Sequence, residues 1–272
     1  MSKKIFGLTI RFRAIGDTTI PPFSAKVSKL IMHRLSSLYK YSTSSNSPFK
    51  PVAITPLIHE GKALIKTHEV GRLRLKDGEL YSFRSTIIAD DDKEMGSLID
   101  VGQQRIDGVF NSSILLDSLI VEVKDFDSLT LGKPKGVKVR FISPVLLQLP
   151  SYNRLSKCRH ILFPLPSLMI RSLLDHWNAN CGPEDIIRSG YVQIYSNYAM
   201  VESDFYIRPI TAYYDDVRRP RGFVGWVIYE IKARRKRNAY SNLMKLLDYA
   251  RYVGIGRSRA TGFGQIELTC LE

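Results

Sequence analysis

From Lys4 to Arg13 the chain comes close to alternating, with Phe6, Leu8, Ile10 and Phe12 opposite Thr9, Arg11 and Arg13. A period of two predicts a half-buried β-strand. The pattern breaks at Gly16 to Pro22 and resumes with a helical period. Val27, Leu30, Ile31 and Leu38 form one stripe of a helix capped by Ser24 and running through Tyr39. The polar tract 41–48 is a loop. Segments 51–58, 62–70 and 79–89 read as strands, with Asp77-Gly78 as a hairpin turn between the last two. Asp90 to Glu94 opens a short helix near 93–105, and 114–124 returns as a strand.

Beyond a connection at 127–136 the same order recurs. Residues 137–149 are strand-like up to Pro144, and Pro166 opens a helix holding Leu168, Leu173, Leu174 and Trp177. Segments 190–196, 204–213 and 222–232 read as strands. Asn238 to Tyr252 is a helix with Leu243, Leu246, Leu247 and Ala250 at core spacing, and Gln265 to Leu271 is the last strand. Each half therefore runs strand, helix, strands, helix, strand. That order predicts an α+β protein of two tandem ferredoxin-like domains, 1–135 and 136–272.

Composition adds a partner. With 44% hydrophobic residues in 272, the chain can bury substantial cores, while 40 Lys and Arg against 26 Asp and Glu leave a net charge of +14. The excess is concentrated between Arg208 and Arg237, where nine basic residues face three acidic ones. Such clustering suits a polyanion and salt-dependent binding. Cys158, Cys181 and Cys270 are odd in number and far apart, which argues against a disulfide framework and for a reducing, cytoplasmic setting. The start of the chain lacks a secretory pattern, and no apolar run is long enough to span a membrane.

The tract YVGIGRSRATGFG places Gly254, Gly256, Gly262 and Gly264 between a helix and a strand. Arg257, Ser258 and Arg259 lie among them. The order is wrong for a dinucleotide fingerprint, and the Lys-Ser/Thr ending of a P-loop is missing. Exposed N–H groups with two arginines suit a nucleic-acid backbone instead. Arg218, Arg219, Arg221, Arg234, Arg235 and Arg237 would extend that surface. The bland alternative is a tight helix-to-strand turn.

The ending YVGIGRSRATGFGQIEL resembles the signature of the Cas6 family of CRISPR RNA processing endoribonucleases, within the RAMP superfamily. Val139 to Pro144 and Arg221 to Trp226 match further family segments, in family order. The resemblance implies two RRM-like (RAMP) domains and precursor repeat RNA as substrate. It also implies metal-independent cleavage by 2′-OH attack, leaving 2′,3′-cyclic phosphate and 5′-OH ends, with no cofactor.

The stretch FSAKVSKLI is similar to the active-site helix of a crenarchaeal, lysine-rich branch. Lys26 and Lys29 match its lysines, and Lys50 matches a third. Lys26, Lys29 and His33 share one helix face, although an ordinary solvated lysine face has the same pattern. A competing assignment makes His59 an acid or base with Lys62 as its partner. His68, His160 and His176 have no metal-ligand spacing, and Asp90 to Asp92 read as a solvated helix start. Two other functions fit the same charge: a non-catalytic RNA-binding RAMP subunit of a CRISPR effector complex, and a basic protein-interaction scaffold. The sequence is also compatible with a homodimer.

Overall fold

A computed structural model describes residues 3–66, 72–90, 105–149, 159–215, 217–232 and 237–272. They form two compact units. The first comprises Met1–Asp125 with Thr211–Pro220 and Ala260–Gly262, and the second Phe126–Ile210, Arg221–Arg259 and Phe263–Glu272.

The first unit is built on β1 (Lys3–Ile15), which pairs antiparallel with β7 (Leu80–Asp90) and with β9 (Ser112–Asp125). Its alternation puts Phe6, Leu8, Ile10 and Phe12 into the core, while Arg11 and Arg13 are exposed. In register, Phe6 faces Ile87, Ile10 faces Phe83 and Phe12 faces Tyr81. Cross-strand apolar pairs of this kind are the unit of sheet stabilisation. Beyond β7 lie β3 (Val52–Ile54) and β4 (Ile58–His59), the latter paired with β5 (Lys62–Ala63). Beyond β9 lies β8 (Arg105–Val109). Val27, Ile31, Met32 and Leu35 of α1 (Ala25–Leu35) join this core.

The second unit repeats the plan more plainly. Its sheet runs β13 (Met200–Thr211), β14 (Arg221–Ile231), β10 (Gly136–Val145), β15 (Ile266–Leu271), which is second, third, first, fourth strand of a βαββαβ chain. β11 (Leu147–Gln148) and β12 (His160–Ile161) form a short ribbon apart. α3 (Pro166–Asn180), α4 (Tyr191–Ala199) and α5 (Arg237–Val253) supply the helices. Trp177 packs edge-on to Phe126 at 4.8 Å and to Tyr249 at 5.1 Å, and the Tyr249 hydroxyl lies 2.7 Å from His176 Nδ1. The chain is therefore α+β, with two antiparallel, ferredoxin-like sheets.

Several expectations are corrected. Segment 190–196 is part of helix α4, because Val192, Tyr195, Ser196 and Ala199 are buried at helical spacing. The break at 16–22 contains β2 (Thr18–Ile20), which pairs with β6 (Leu73–Leu75). The Asp77-Gly78 turn therefore follows β6, rather than closing a hairpin from 62–70. Ser24 stands at the N-cap of α1, but its side chain bonds no helix N–H; its Oγ accepts from the Leu57 N–H at 2.9 Å. The helix expected near 93–105 falls on 91–104, outside the described residues, and Arg105 already belongs to β8. Cys158, His68, Asp91, Asp92, Arg234 and Arg235 also lie outside them. Cys181 is buried and Cys270 is exposed.

Candidate active site

The expected helix through Tyr39 is two helices. At Ser36 the backbone turns extended (φ −140°, ψ 114°), and its Oγ accepts from the Tyr39 N–H at 3.1 Å, starting α2 (Ser37–Ser44). Beyond this break Tyr39 enters the core against the His33 ring, while Lys40 and Thr43 come near the polar side of α1. Thr43 Oγ1 lies 3.0 Å from His33 Nε2 and donates to the Lys40 carbonyl at 2.9 Å. With its hydrogen on that carbonyl, the hydroxyl accepts from Nε2–H and leaves His33 Nδ1 unprotonated. Lys50, just ahead of β3, donates from Nζ to the Thr43 carbonyl.

Lys29, His33, Lys40 and Lys50 thus surround one short segment. Burial, then the Lys50 charge, pushes the Lys29 ammonium below the ordinary lysine range. Burial, then Lys29 and Lys40, likewise lowers His33, which stays neutral at pH 7. Like charges held together in partial burial are the kind of arrangement that marks a functional site. Tyr39 packs edge-on to His33 at 5.5 Å, and its buried hydroxyl has no hydrogen-bond partner among the described residues. Burial raises its pKa, so it stays protonated. Thr43, Lys40 and Tyr39 were not legible as site residues, because their placement depends on the break at Ser36.

Lys26, one turn earlier on α1, joins a different group. Its Nζ lies 4.6 Å above the Tyr214 ring, which also packs against Phe23 at 5.6 Å. His59 is elsewhere again. Its Nδ1–H donates to the Leu80 carbonyl at 3.1 Å, Nε2 lies 3.8 Å from Glu79, and its ring is 4.8 Å from that of Tyr81. Lys62 is its exposed partner across the β4–β5 pair. The structure therefore groups Lys29, Lys50 and His33, and sets Lys26 with Tyr214 and His59 with Glu79.

The glycine-rich loop is internally committed. Ile255 N–H donates to Gly264 O at 2.7 Å, Gly256 N–H to Ser172 Oγ at 3.0 Å, Arg257 N–H to Leu146 O at 3.0 Å and Gly264 N–H to Pro144 O at 2.9 Å. These donors are not open to a phosphate, contrary to the expectation from sequence. Arg259 is buried, donating to the Gly254 and Ser172 carbonyls at 3.2 and 2.9 Å, and burial brings its pKa down to about 10. It remains a cation at neutral pH, but as an internal strut. Arg257 and Ser258 are the exposed residues between the glycines, and Arg257 reaches the Gln148 side chain. Gly262 counts with the first unit, where it lies against Ala25 and Phe23.

These two arginines should separate experimentally. Arg259→Ala is expected to lower stability by roughly 2–4 kcal/mol, through lost charged hydrogen bonds and a cavity. Arg257→Ala should change stability by less than about 0.5 kcal/mol. It should instead reduce the slope of log Kobs against log salt for RNA by about one. Urea melts and salt titrations of the two variants check both statements.

In the basic tract, Arg218 is paired with Asp215 at 2.6 Å, and Arg219 lies over the Tyr213 ring at 5.3 Å. Arg221 is exposed at the start of β14. The side chain of Arg237, at the start of α5, is outside the described set, as are residues 233–236. Among the described residues, no three His, Cys, Asp or Glu side chains come together as a metal site would require.

Comparison with known proteins gives the site a context. A family model for the CRISPR-associated endoribonuclease Cas6 matches residues 139–266, and one for the Cas6 N-terminal domain matches residues 6–115. Between them they take in most of the chain. Two similar proteins of Saccharolobus solfataricus are CRISPR-associated endoribonuclease Cas6 2 and Cas6 1. The first is 27% identical over 287 residues, covering 97% of this chain and 96% of that protein. The second is 27% identical over 294 residues, covering 98% and 97%. In fold, the chain is similar to a Cas6 product complex, with a TM-score of 0.70 at 17% identity, covering 97% of this chain and 100% of that one. Thermus thermophilus Cas6 superposes with a TM-score of 0.63 at 16% identity, covering 99% and 100%.

Proposed function

The chain belongs to the Cas6 family of CRISPR-associated endoribonucleases, and on that footing we propose that it cuts CRISPR repeat RNA without a metal, in the manner of a lysine-rich active site. The RNA's own 2′-OH attacks the adjacent phosphorus, the bond to the 5′ oxygen breaks, and a 2′,3′-cyclic phosphate and a 5′-OH remain. Lys29 and Lys50 hold the scissile phosphate and stabilise the charge that builds on its non-bridging oxygens. His33, neutral at pH 7, accepts the proton of the attacking hydroxyl at Nδ1. A lysine of the group returns a proton to the leaving oxygen, a task that a depressed pKa favours.

The observation that carries this reading is the convergence of Lys29 and Lys50 beside Thr43 and His33. His59 supports an alternative less well, since one ring nitrogen is spent on the Leu80 carbonyl and the other faces Glu79. The test is incubation of end-labelled repeat RNA with the protein in EDTA. One discrete cut ending in a cyclic phosphate is expected, and none when the nucleotide 5′ of the cut lacks its 2′-OH. Tight binding without cleavage would mean a non-catalytic RNA-binding subunit instead.

A further inference from the structure

A cavity of about 580 Å3 opens in the first unit, with Lys26, Arg72, Phe110, Tyr213, Tyr214 and Arg219 in its wall. Its size falls in the usual range for small-ligand sites. Cations and aromatic rings are interleaved around it. Lys26 lies over Tyr214 at 4.6 Å, Arg218 over the same ring at 4.9 Å, and Arg219 over Tyr213 at 5.3 Å. Rings offer stacking faces to any base, and the cations neutralise the attached phosphate.

Two features show that this wall is set in advance. The Asp215 carboxylate accepts from the N–H groups of Val217 at 3.1 Å and Arg218 at 2.6 Å, and from Arg218 Nε at 2.7 Å. Asp215, next to Tyr213 and Tyr214, is therefore tied to Val217 and Arg218. Opposite it, Phe110 and Asn111 turn the chain from β8 to β9 with φ of 50° and 64°. Asparagine tolerates that conformation, but a bulky phenylalanine there is strained. Thr18 Oγ1 donates to the Phe110 carbonyl at 2.6 Å and holds the turn. Strain kept at a cavity wall is a pointer to use.

Lys26 ties the cavity to the cation group, since Lys29 is less than one helical turn further on, about 4.5 Å along the axis. We propose that the cavity receives one unpaired nucleotide of the RNA, beside the phosphate held at Lys29 and Lys50. Its base stacks on the aromatic wall and its phosphate rests on Arg72 and Arg219. This inference rests on the RNA-cleaving reading, so its test is made independent of cleavage.

Repeat RNA made uncuttable by a 2′-deoxy nucleotide at the cut is scanned with single abasic nucleotides, and its affinity for the full chain is measured. One position near the cut should weaken binding about tenfold. In Tyr213→Ala/Tyr214→Ala that same position should matter less than twofold. Tyr214 packs against Phe23, so Arg72→Ala/Arg219→Ala, at two exposed positions, is the companion variant. It should weaken binding of intact RNA and erase much of the abasic effect. A flat scan, or a sensitive position unchanged in both variants, overturns the proposal. So does displacement of the RNA by a mononucleotide mixture below millimolar concentration together with a flat scan, which would mark a free nucleotide as the ligand. Coupling in the scan without cutting of ordinary RNA would count against the endonuclease and leave the cavity assignment standing. Cutting with a flat scan would do the reverse.

Discussion

Lys29→Ala is expected to lower the single-turnover cleavage rate by about 10²–10³-fold, the usual loss for one donor aimed at developing negative charge. Affinity for uncut RNA should change only a few-fold, because many other cations contribute to binding. Lys50→Ala should behave alike, whereas His59→Ala should stay within a few-fold of the parent rate. If His59→Ala alone abolishes cutting with RNA binding intact, the lysine assignment is wrong.

The pH profile adds a sign. In the proposed mechanism Lys29 acts through its cationic form, which is fully present below its pKa and lost as pH rises through it. Burial and the Lys50 charge lower that pKa, so the alkaline limb of the rate should begin below the ordinary lysine range. Lys29→Arg, whose guanidinium does not deprotonate, should move the limb to higher pH even if the plateau is lower. For stability the direction is opposite. Between the depressed folded pKa and the ordinary unfolded one, the unfolded chain binds more protons, so this group adds stability as pH rises. An alkaline limb identical in Lys29→Arg would show that Lys29 does not titrate in the rate.

Gly262→Ala should be strongly damaging although it removes no functional group. Its φ is +94°, and an added Cβ would lie 2.2 Å from Ala25 Cβ and 3.0 Å from the Phe23 ring. Left-handed strain and overpacking together should destabilise by on the order of 2–5 kcal/mol. Relief requires the start of α1 to move, and with it Lys26 and Lys29, so cleavage should fall beyond what the lost stability explains. Gly16→Ala is the control. Its φ is +80°, but a Cβ there meets nothing within 4 Å, so only the conformational term remains. Equal urea midpoints for the two variants would mean that the close approach at Ala25 has no energetic weight.

Long elements with clean periods were legible from the residues alone. Phe6 to Phe12 alternate into the core of β1, and Leu243, Leu246, Leu247 and Ala250 mark α5 as written. α4 was not legible, because its buried Val192, Tyr195, Ser196 and Ala199 are interleaved with exposed Ile194 and Tyr198. β-branched and aromatic residues on both faces imitate a strand. The break at Ser36 escaped for a related reason: Leu35 and Leu38 continue the apolar stripe straight across it.

The site divides in the same way. Lys29 and Lys50 could be named from their residue types and the resemblance, but Thr43 and Tyr39 join them only through the Ser36 turn. Arg257 and Arg259 are equivalent as charges in a sequence. Only the packing beneath the loop, with Ser172 and Gly254 as acceptors, makes one a strut and leaves the other exposed.

The spacing of these groups along the chain also orders their assembly in time. Lys29, Thr43 and Lys50 lie within some twenty positions, so the turn at Ser36 can bring them together with little loop entropy to overcome. The cavity joins residues near 20 to residues near 214, nearly two hundred positions away. During synthesis the cation group can therefore form on a chain whose tyrosines have not yet been made. The stacking wall closes only after those tyrosines emerge, so a chain cut short before them would carry the charge without the nucleotide pocket.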